Sequence, residues 1–518
     1  MTYETPETVL SDFIEGARHQ LGDSILAGPL SVAFMEEATK QNPGGQSGFC
    51  NFWQVGCTFD TVLDYFRTLE DANQLRPLDE VLRTRLIEHA ITGYQNGIIG
   101  ISANWYDDWC WWGIAAAKAF DPAYEKGFGD KADTFRTMAL NLWDLVDKGD
   151  YAPVAYSIPG SVWQNSASIP NNGRFTAQML ADRARLHAGT RNVWSLIVHG
   201  RDGVPSERNK EDYAYFTTPV PDVWAVPRFE GGCWQYDMSV ENFPAGDGTG
   251  SSPNPSNSAL GTCQVTLMQG LYLSFCCALL AAARRKSREK LSGGAWDALL
   301  SEESYSQAAE AVVGFLTSWL DLEGLESLAA RQYKKKPIPG MLVHERPRTY
   351  AALPGTFDYP KIEGYDYNLF WAGDQGLIMG ALMQYRELIS GGADQGDAGE
   401  QPVWATCPEA LLKGVCHTMA EQAEPGPYNP VPPYIPSAPF GDIGDYLSGS
   451  GVFWRYVMRC SRADEAFRAQ AKGDELIVGV TLASAVLPTP WPPSPDYNLL
   501  FSRFNVVAAN IGAWQLLR

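Results

Sequence analysis

The sequence predicts an all-α protein, an (α/α)6 toroid in which helical hairpins form two concentric rings joined by long irregular loops. Two observations predict this fold class. Apolar residues recur with helical spacing along the whole chain, and few segments show the two-residue alternation of half-buried strands. About a dozen helices of roughly 10 to 20 residues suit six inner helices around an axial pocket, covered by six outer helices. We therefore expect residues 1–518 to form a single domain.

Apolar periodicity places each predicted helix in chain order. The strong patterns extend over Glu7–Leu21, Phe52–Asn73, Leu78–Tyr94, Trp109–Phe120, Lys131–Lys148, Thr176–His187, Leu260–Arg285, Ser304–Leu320, Leu369–Leu388, Pro408–Glu421, Asp445–Arg462 and Leu499–Leu517. Weaker patterns extend over Pro29–Thr39, Thr190–Gly200 and Glu465–Val486. The sequence Ile-Ser-Gly-Gly at Ile389–Gly392 leads into the polar stretch Gly391–Gln401 and predicts a helix end.

Several predicted connections are long and rich in Pro, Gly, Ser and Asn. Loops of this length in a compact domain are usually functional, and the aromatic residues within them favour ordered walls over flexible linkers. These loops are Tyr151–Gly173, Thr217–Ser258, Gly355–Asn368, Glu424–Gly441 and Leu487–Asn498.

The charge of the chain restricts its partners. It carries 60 acidic and 40 basic residues, a formal net charge of −20, which repels nucleic acid and anionic membranes but not a neutral carbohydrate or glycoside.

The N-terminal stretch Met1–Ile14 lacks the basic and apolar regions of a signal peptide, which indicates a cytoplasmic protein, or a secreted one with a trimmed N-terminus. The most apolar stretch, Leu271–Ala282, is too short for a transmembrane span and predicts a buried helix.

The cysteine and histidine patterns predict no metal site. Ten Cys and six His are scattered without a CxxC pair or a ligand-like spacing, so neither zinc nor another cofactor is expected. The cysteine spacing also fits no small disulfide framework. Free, buried thiols are therefore the expected state.

The candidate catalytic groups are the adjacent acids Asp107 and Asp108, which precede the helical run that starts at Trp109. Acids at a helix start commonly cap unpaired amides and complement the helix dipole, so capping is one interpretation. Three features favour catalysis: aromatic residues enclose the pair, small residues follow it as on a tightly packed inner helix, and a helix entry can turn both carboxylates toward one cavity. Two carboxylates are the groups that glycoside hydrolysis requires. The surrounding aromatic residues are Trp105, Tyr106, Trp109, Trp111 and Trp112.

These residues resemble a known family. Tyr106-Asp107-Asp108 followed by Trp111-Trp112-Gly113 is similar to the motif of glycoside hydrolase family 76, the endo-α-1,6-mannanases and their relatives. Shorter segments in the same order also resemble that family: Gly231-Gly232-Cys233-Trp234, Leu267–Tyr272 and Trp371–Gly376. The chain departs from the family pattern where Gly373-Asp374 replaces Tyr-Asn and where Gln269 replaces Asn.

The resemblance implies a retaining glycosidase on an (α/α)6 toroid. Asp107 would be the nucleophile and Asp108 the general acid and base. We expect the substrate to contact further residues at other helix starts, which would line one cavity with the acid pair. These substrate-binding candidates are Trp53, Trp105, Tyr106, Trp112, Trp234, Tyr236, Asp237, Asp374 and Gln375.

Other interpretations stay open from the sequence. Asp374 could cap its helix instead of binding a substrate hydroxyl, and Trp234, Tyr236 and Asp237 could form a core corner instead of a pocket wall. A toroid could also house a cyclase or isomerase acting on a hydrophobic metabolite, although the chain lacks the Asp-rich motifs of such enzymes. A sugar-binding protein without turnover is the third interpretation, and two intact acids argue against it.

Overall fold

The structure is a computed structural model that describes residues 52–71, 73–98, 106–148, 233, 266–320, 329–333, 336–345, 370–390, 402–420 and 448–473. Within these residues the chain forms twelve α-helices. They are α1 (Phe52–Asp71), α2 (Pro77–Ile98), α3 (Tyr106–Ala117), α4 (Pro122–Phe128), α5 (Ala132–Lys148), α6 (Thr266–Glu289), α7 (Ala295–Ala298), α8 (Glu302–Leu320), α9 (Ala372–Ser390), α10 (Val403–Gly414), α11 (Gly449–Ala463) and α12 (Glu465–Gly473).

Shorter elements complete this part of the chain. The 3₁₀ turns Lys118–Phe120 and Gly129–Lys131 flank α4, and a π-helical turn, Val415–Ala420, continues α10. Two antiparallel strands, β1 (Ala329–Tyr333) and β2 (Lys336–Val343), form a hairpin. Strand β2 packs against α10.

Local sequence explains where several helices begin. Helix α4 starts with Pro122 behind Asp121, whose carboxylate accepts a hydrogen bond from the Ala123 amide at 2.8 Å. Proline suits this first position because its missing amide would have no helical partner. Helix α2 starts with Pro77, and Asp79 in its first turn accepts from the Arg76 amide at 2.8 Å. Such caps satisfy amides that the helix leaves unpaired.

The ten longer helices alternate along the chain between two kinds. Helices α1, α3, α6, α9 and α11 are buried on nearly every side, whereas α2, α5, α8, α10 and α12 bury one face and expose the other. Each fully buried helix contacts both the next fully buried helix and the amphipathic helix that follows it. The described helices are therefore five hairpins, each with an inner and an outer member, which confirms the all-α class with two layers.

Close backbone approach fixes the direction of the inner helices. A side chain at Gly270, the fifth residue of α6, would meet Leu377, the sixth residue of α9, at 2.9 Å. A side chain at Gly376, the fifth residue of α9, would meet the Cα of Phe453, the fifth residue of α11, at 2.7 Å.

Contacts further along the same helices show their direction. Arg284 of α6 donates to the Leu388 carbonyl of α9 at 2.6 Å, and a side chain at Gly380 of α9 would meet the ring of Tyr456 of α11. Because equivalent positions meet at two levels, these inner helices run parallel and level. Their first turns lie at one end of the ring, which we call the N-terminal rim.

A buried ionic cluster joins α11 to α1 and so connects the last described inner helix to the first. Arg459 binds Asp60 at 2.7 Å and Asp64 at 2.8 Å, and Lys118 binds the same two carboxylates. Burial opposes ionisation of both carboxyls, but the surrounding cations outweigh it and hold the pKa of Asp60 and Asp64 below the ordinary value. Burial lowers the pKa of Lys118.

Helix α6 is long and apolar enough to cross a membrane by length and composition, with 24 residues. Other parts of the protein bury 83% of its most apolar window, as is usual for an inner helix of a core. The sequence predicted a shorter apolar stretch here, Leu271–Ala282. The small residues of α6, including Gly270, allow its neighbours to approach it closely.

The predicted and observed helices differ mainly at their ends. Helix α3 begins at Tyr106, three residues before the predicted start, and α9 ends at Ser390, where the Gly pair predicted an end. The β1–β2 hairpin and the short helices α4 and α7 were not predicted. Helices predicted at Glu7–Leu21, Pro29–Thr39, Thr176–His187, Thr190–Gly200 and Leu499–Leu517 lie outside the described residues, as do the five long loops except for Cys233.

The cysteines agree with the expectation of free thiols where they are described. Eight of them are free and buried: Cys57, Cys110, Cys233, Cys276, Cys277, Cys407, Cys416 and Cys460. Burial raises the pKa of Cys57 to about 12, which keeps its thiol protonated at neutral pH. Cys50 and Cys263 lie outside the described residues.

Candidate active site

The acid pair lies inside the first turn of inner helix α3. Asp107 and Asp108 are its second and third residues, because the helix starts at Tyr106 and not at Trp109 as predicted. Successive side chains on a helix point about 100° apart. Asp107 is accordingly buried, with 6% of its surface exposed, while Asp108 is half-buried. The two carboxylates therefore lie in different environments, one buried and one partly exposed.

Aromatic side chains surround the buried acid. Tyr106 is 1% exposed, and its ring meets Trp109 edge-on with 5.7 Å between centroids. Trp111 lies one helical turn below Asp107, on the same face of α3. Trp53 of α1 lies against Trp111, with ring centroids 5.7 Å apart. Both indoles belong to inner helices, so they form an aromatic layer beneath the N-terminal rim.

Asp374 lies at the same rim on a second inner helix. It is the third residue of α9 and is fully buried. A carboxylate in the first turn of a helix is stabilised by the partial positive charge of the helix N-terminus. Helix α3 runs beside α6 in the same direction, because Gly113 of α3 packs against Phe275 of α6, and Arg285 near the end of α6 donates to the Phe120 carbonyl just after α3. The first turns of α3 and α9 thus bring the three predicted acids to one end of the ring. Their roles as catalytic or substrate-binding groups stay predictions.

Gln375 has a role different from the predicted substrate contact. Its side-chain oxygen accepts from the Val343 amide at 2.8 Å, and its amide nitrogen donates to the Val343 carbonyl at 2.7 Å. The same nitrogen donates to the Trp371 carbonyl at 3.1 Å. The side chain is fully buried, and these bonds use both of its polar ends. We therefore correct the prediction: Gln375 binds the end of strand β2.

Gln269 makes the same contact on helix α6. Its side chain accepts from the Cys233 amide and donates to the Cys233 carbonyl, both at 2.8 Å. Burial raises the pKa of Cys110 on α3, and Cys233 and Asp107 raise it further. The hydrogen bonds to Gln269 hold Cys233 at the first turn of α6, at the N-terminal rim.

Trp112 is a core residue and not part of a pocket wall, contrary to the prediction. Its ring is fully buried between Tyr94, 5.5 Å away, and Phe59, 6.4 Å away. Gly56 of α1 lies directly against the indole, where a side chain would come within 2.8 Å. The successive residues Trp111 and Trp112 point in different directions from the helix, and Trp112 points into the contact between α3 and its neighbours.

The remaining predicted site residues divide into two groups. Trp53 is buried at the aromatic layer with 9% of its surface exposed, and its contact with a substrate stays a prediction. Four others lie outside the described residues: Trp105, Trp234, Tyr236 and Asp237.

Sequence reasoning missed two residues near this region. Arg455 of α11 places its guanidinium carbon 5.7 Å from the centre of the Trp111 ring, under the aromatic layer. His344 follows strand β2 and stacks on Phe370 with 4.6 Å between centroids. One of the three arginines of α11 and a His after a strand carry no signal for a site in the sequence, so only the fold brings them to this region.

Comparison with known proteins gives limited similarity. No protein-family model matches the chain, and no curated protein matches it with significance. Among solved structures, the α-1,6-mannanase GH76A of Salegentibacter sp. HEL1_6 matches with a TM-score of 0.47 and 12% identity, covering 99% of this chain and 100% of that one. An inactive variant of it, with two aspartates replaced by alanine, in complex with α-1,6-mannotetrose matches at 0.45 and 13%, covering 94% and 98%. TM-scores of this size do not by themselves establish a common fold.

Proposed function

We propose that this protein is a retaining glycoside hydrolase that uses Asp107 and Asp108. The observation that carries the proposal is the placement of two adjacent carboxylates in the first turn of an inner helix, one buried among aromatic rings and one half-buried. Two carboxylates in unlike environments can divide the work of a nucleophile and a proton donor. The resemblance of Tyr106–Gly113 to the family 76 motif supports the same chemistry.

The reaction runs in two steps. The Asp107 carboxylate attacks the anomeric carbon while Asp108 donates its proton to the glycosidic oxygen, so that the C–O bond breaks and the leaving sugar departs as an alcohol. Asp108, now ionised, takes a proton from water, and the resulting hydroxide attacks the anomeric carbon of the glycosyl ester. This step releases the sugar, regenerates the Asp107 carboxylate and leaves Asp108 protonated.

The division of roles follows the resemblance. Burial raises a carboxyl pKa and alone would favour the more buried Asp107 as the proton donor. The helix N-terminus stabilises the ionised form of both acids, because both lie in the same first turn. From the resemblance alone we assign the nucleophile to Asp107 and the acid and base to Asp108, and an activated substrate tests the assignment directly.

The proposed substrate is an α-1,6-linked mannoside. The motif resemblance supports this sugar and linkage, and the net charge of −20 suits a neutral glycan better than an anionic one.

The test is hydrolysis of a panel of neutral oligosaccharides, including α-1,6-linked mannotriose and mannotetraose together with gluco- and galacto-configured controls. We expect new reducing ends from the α-1,6-mannosides, and proton NMR should show that the first-formed product keeps the α configuration. Asp107→Asn and Asp108→Asn should each lower the rate by about 10²-fold or more. Absence of hydrolysis across the panel by the wild-type protein would overturn the proposal.

A further inference from the structure

We propose that Gln375 and Gln269 are a matched pair of positioning residues that fix two backbone segments at the N-terminal rim. The inference rests on the proposed function, because it assigns these segments to the walls of the substrate site. One segment is Val343–Glu345, which starts at the last residue of strand β2, and the other is the backbone of Cys233. Neither glutamine acts on the reacting atoms.

Each glutamine side chain pairs with one backbone residue in the way that a neighbouring β-strand would. A primary amide side chain offers one acceptor and one donor on the same side, which match the N–H and C=O of a single extended residue. Gln375 uses both on Val343, and Gln269 uses both on Cys233, with all four hydrogen bonds between 2.7 and 2.8 Å. Both side chains are fully buried, where loss of a partner leaves a polar group unsatisfied.

The two glutamines occupy equivalent positions. Each is the fourth residue of an inner helix, and each is followed by Gly-Leu, as Gln269-Gly270-Leu271 on α6 and Gln375-Gly376-Leu377 on α9. The glycine lets the next inner helix approach while the glutamine binds a segment crossing the rim. The sequence Gln-Gly-Leu therefore occurs at the same place in adjacent hairpins, and in both the glutamine binds backbone and the glycine contacts the next inner helix.

The segment Val343–Glu345 is fixed at both ends. Gln375 of α9 binds Val343, and Thr266, the first residue of α6, donates its amide to the Glu345 carbonyl at 2.9 Å. The Thr266 hydroxyl also donates to the His344 carbonyl. The segment thus spans the rim from α9 to α6 and carries His344, whose ring lies against Phe370 just before α9.

Cys233 lies against the adjoining part of the rim. Gln269 binds the backbone of this residue through two hydrogen bonds from the first turn of α6. Val343–Glu345 and Cys233 therefore both contact the first turns of inner helices, on α9 and α6. Loss of either glutamine should release a wall while leaving the acids on their helices.

The first experiment measures the contact without using activity. Hydrogen exchange of the full-length protein, followed by mass spectrometry, is compared for the wild type, Gln375→Met and Gln384→Met. Gln384 is a matched control, because it lies on the same helix, is half-buried, and has a side-chain oxygen with no hydrogen-bond partner among the described residues. Removing two buried hydrogen bonds should speed exchange in the peptide containing Val343 by roughly tenfold to a hundredfold. The control should match the wild type.

Gln269→Met tests the contact between Gln269 and Cys233 independently of the contact between Gln375 and Val343. It should speed exchange in the peptide containing Cys233 and leave the peptide containing Val343 protected. Unchanged exchange at both peptides in their respective variants overturns the proposal. Equal acceleration throughout the protein in either variant also overturns it, because that result would show a general loss of stability and no local positioning.

The second experiment separates positioning from folding by kinetics on the α-1,6-mannoside that the wild type hydrolyses. A displaced wall weakens substrate binding, so Gln375→Met should raise KM by about tenfold with kcat changed by less than about threefold. A purely structural role would reduce the active fraction, which lowers kcat at constant KM, and that outcome overturns the proposal. If no wild-type hydrolysis occurs, the proposed function fails, whereas the exchange result still decides whether the glutamines hold the two segments.

Discussion

Arg459 on α11 binds Asp60 on α1 at 2.7 Å, at a point where the carboxylate is fully buried and the guanidinium nearly so. The two residues are 399 positions apart in the sequence, so the pair connects helices from opposite ends of the described chain. Arg459→Met should destabilise the protein by about 3–5 kcal/mol, because it leaves Asp60 and Asp64 buried with less compensating charge. Urea denaturation at neutral pH measures the change.

The matched control is Arg288→Met near the end of α6. Arg288 also pairs with an acid, Glu289, but 74% of its side chain is exposed. Exposed pairs contribute little to stability, so this variant should unfold at nearly the wild-type urea concentration. Similar midpoints for the two arginine variants would contradict the importance assigned to the buried cluster.

The same cluster predicts a dependence of stability on pH. Burial opposes ionisation of Asp60 and Asp64, but Arg459 and Lys118 hold their pKa values below the ordinary value of about 3.9. Depressed carboxyl pKa values stabilise the folded state fully above that unfolded-state value, and the stabilisation is lost as pH falls below it toward the folded-state values. The free energy of unfolding should therefore fall steeply below about pH 4. In Arg459→Met the fall should be shallower; an equal slope would mean that other carboxyls cause it.

Helix packing gives a prediction with an internal control. Gly376→Ala places a methyl group 2.7 Å from the Cα of Phe453, and backbone cannot move aside as a flexible side chain can. We expect a loss of about 1–3 kcal/mol from overpacking. Gly314→Ala, on outer helix α8, meets nothing within 4 Å and should stabilise by up to about 1 kcal/mol through helix propensity. Opposite shifts in Tm are expected, and two shifts of the same sign would contradict the inner-ring geometry.

Much of the fold could be predicted because helical periodicity is a local property. Outer helix α5, for example, has one apolar stripe, whereas inner helix α6 has apolar residues on all sides, and both patterns are visible in the sequence. The β1–β2 hairpin could not be predicted in this way, because Pro337 and Pro339 interrupt the strand pattern. Its position depends on packing against α10 and on Gln375, residues distant in sequence.

The sequence predicts which residues compose the candidate site but not their geometry. Clustered aromatics identified the acid pair, but the sequence does not show which face of α3 each ring occupies. Trp111 and Trp112 are both buried, yet one contacts Trp53 under the rim and the other contacts Phe59 in the core. Gln375 was taken for a substrate contact because a polar residue at an inner helix start suggests a ligand. Its actual partner, Val343, comes from a hairpin that the sequence did not reveal.

The last prediction separates catalysis from helix capping at Asp107 and Asp108. Asp79 is the matched control, since it is also an acid in a first turn, is 3% exposed and accepts from the Arg76 amide at 2.8 Å. Asp79→Asn should lower stability by at most about 1 kcal/mol and leave turnover unchanged. Asp107→Asn and Asp108→Asn should keep a near-normal Tm while turnover of a natural α-1,6-mannoside falls by about 10²-fold or more.

An aryl mannoside with a good leaving group then distinguishes the two acids. Such a leaving group needs no proton, so Asp108→Asn should retain a rapid first step and show a burst of released phenol before slow hydrolysis of the glycosyl ester. Asp107→Asn lacks the nucleophile and should show neither burst nor turnover. A burst in Asp107→Asn and none in Asp108→Asn would exchange the two roles, in agreement with the greater burial of Asp107. Normal turnover in both variants, with a lowered Tm, would leave both residues as helix caps and remove the acid pair from the mechanism.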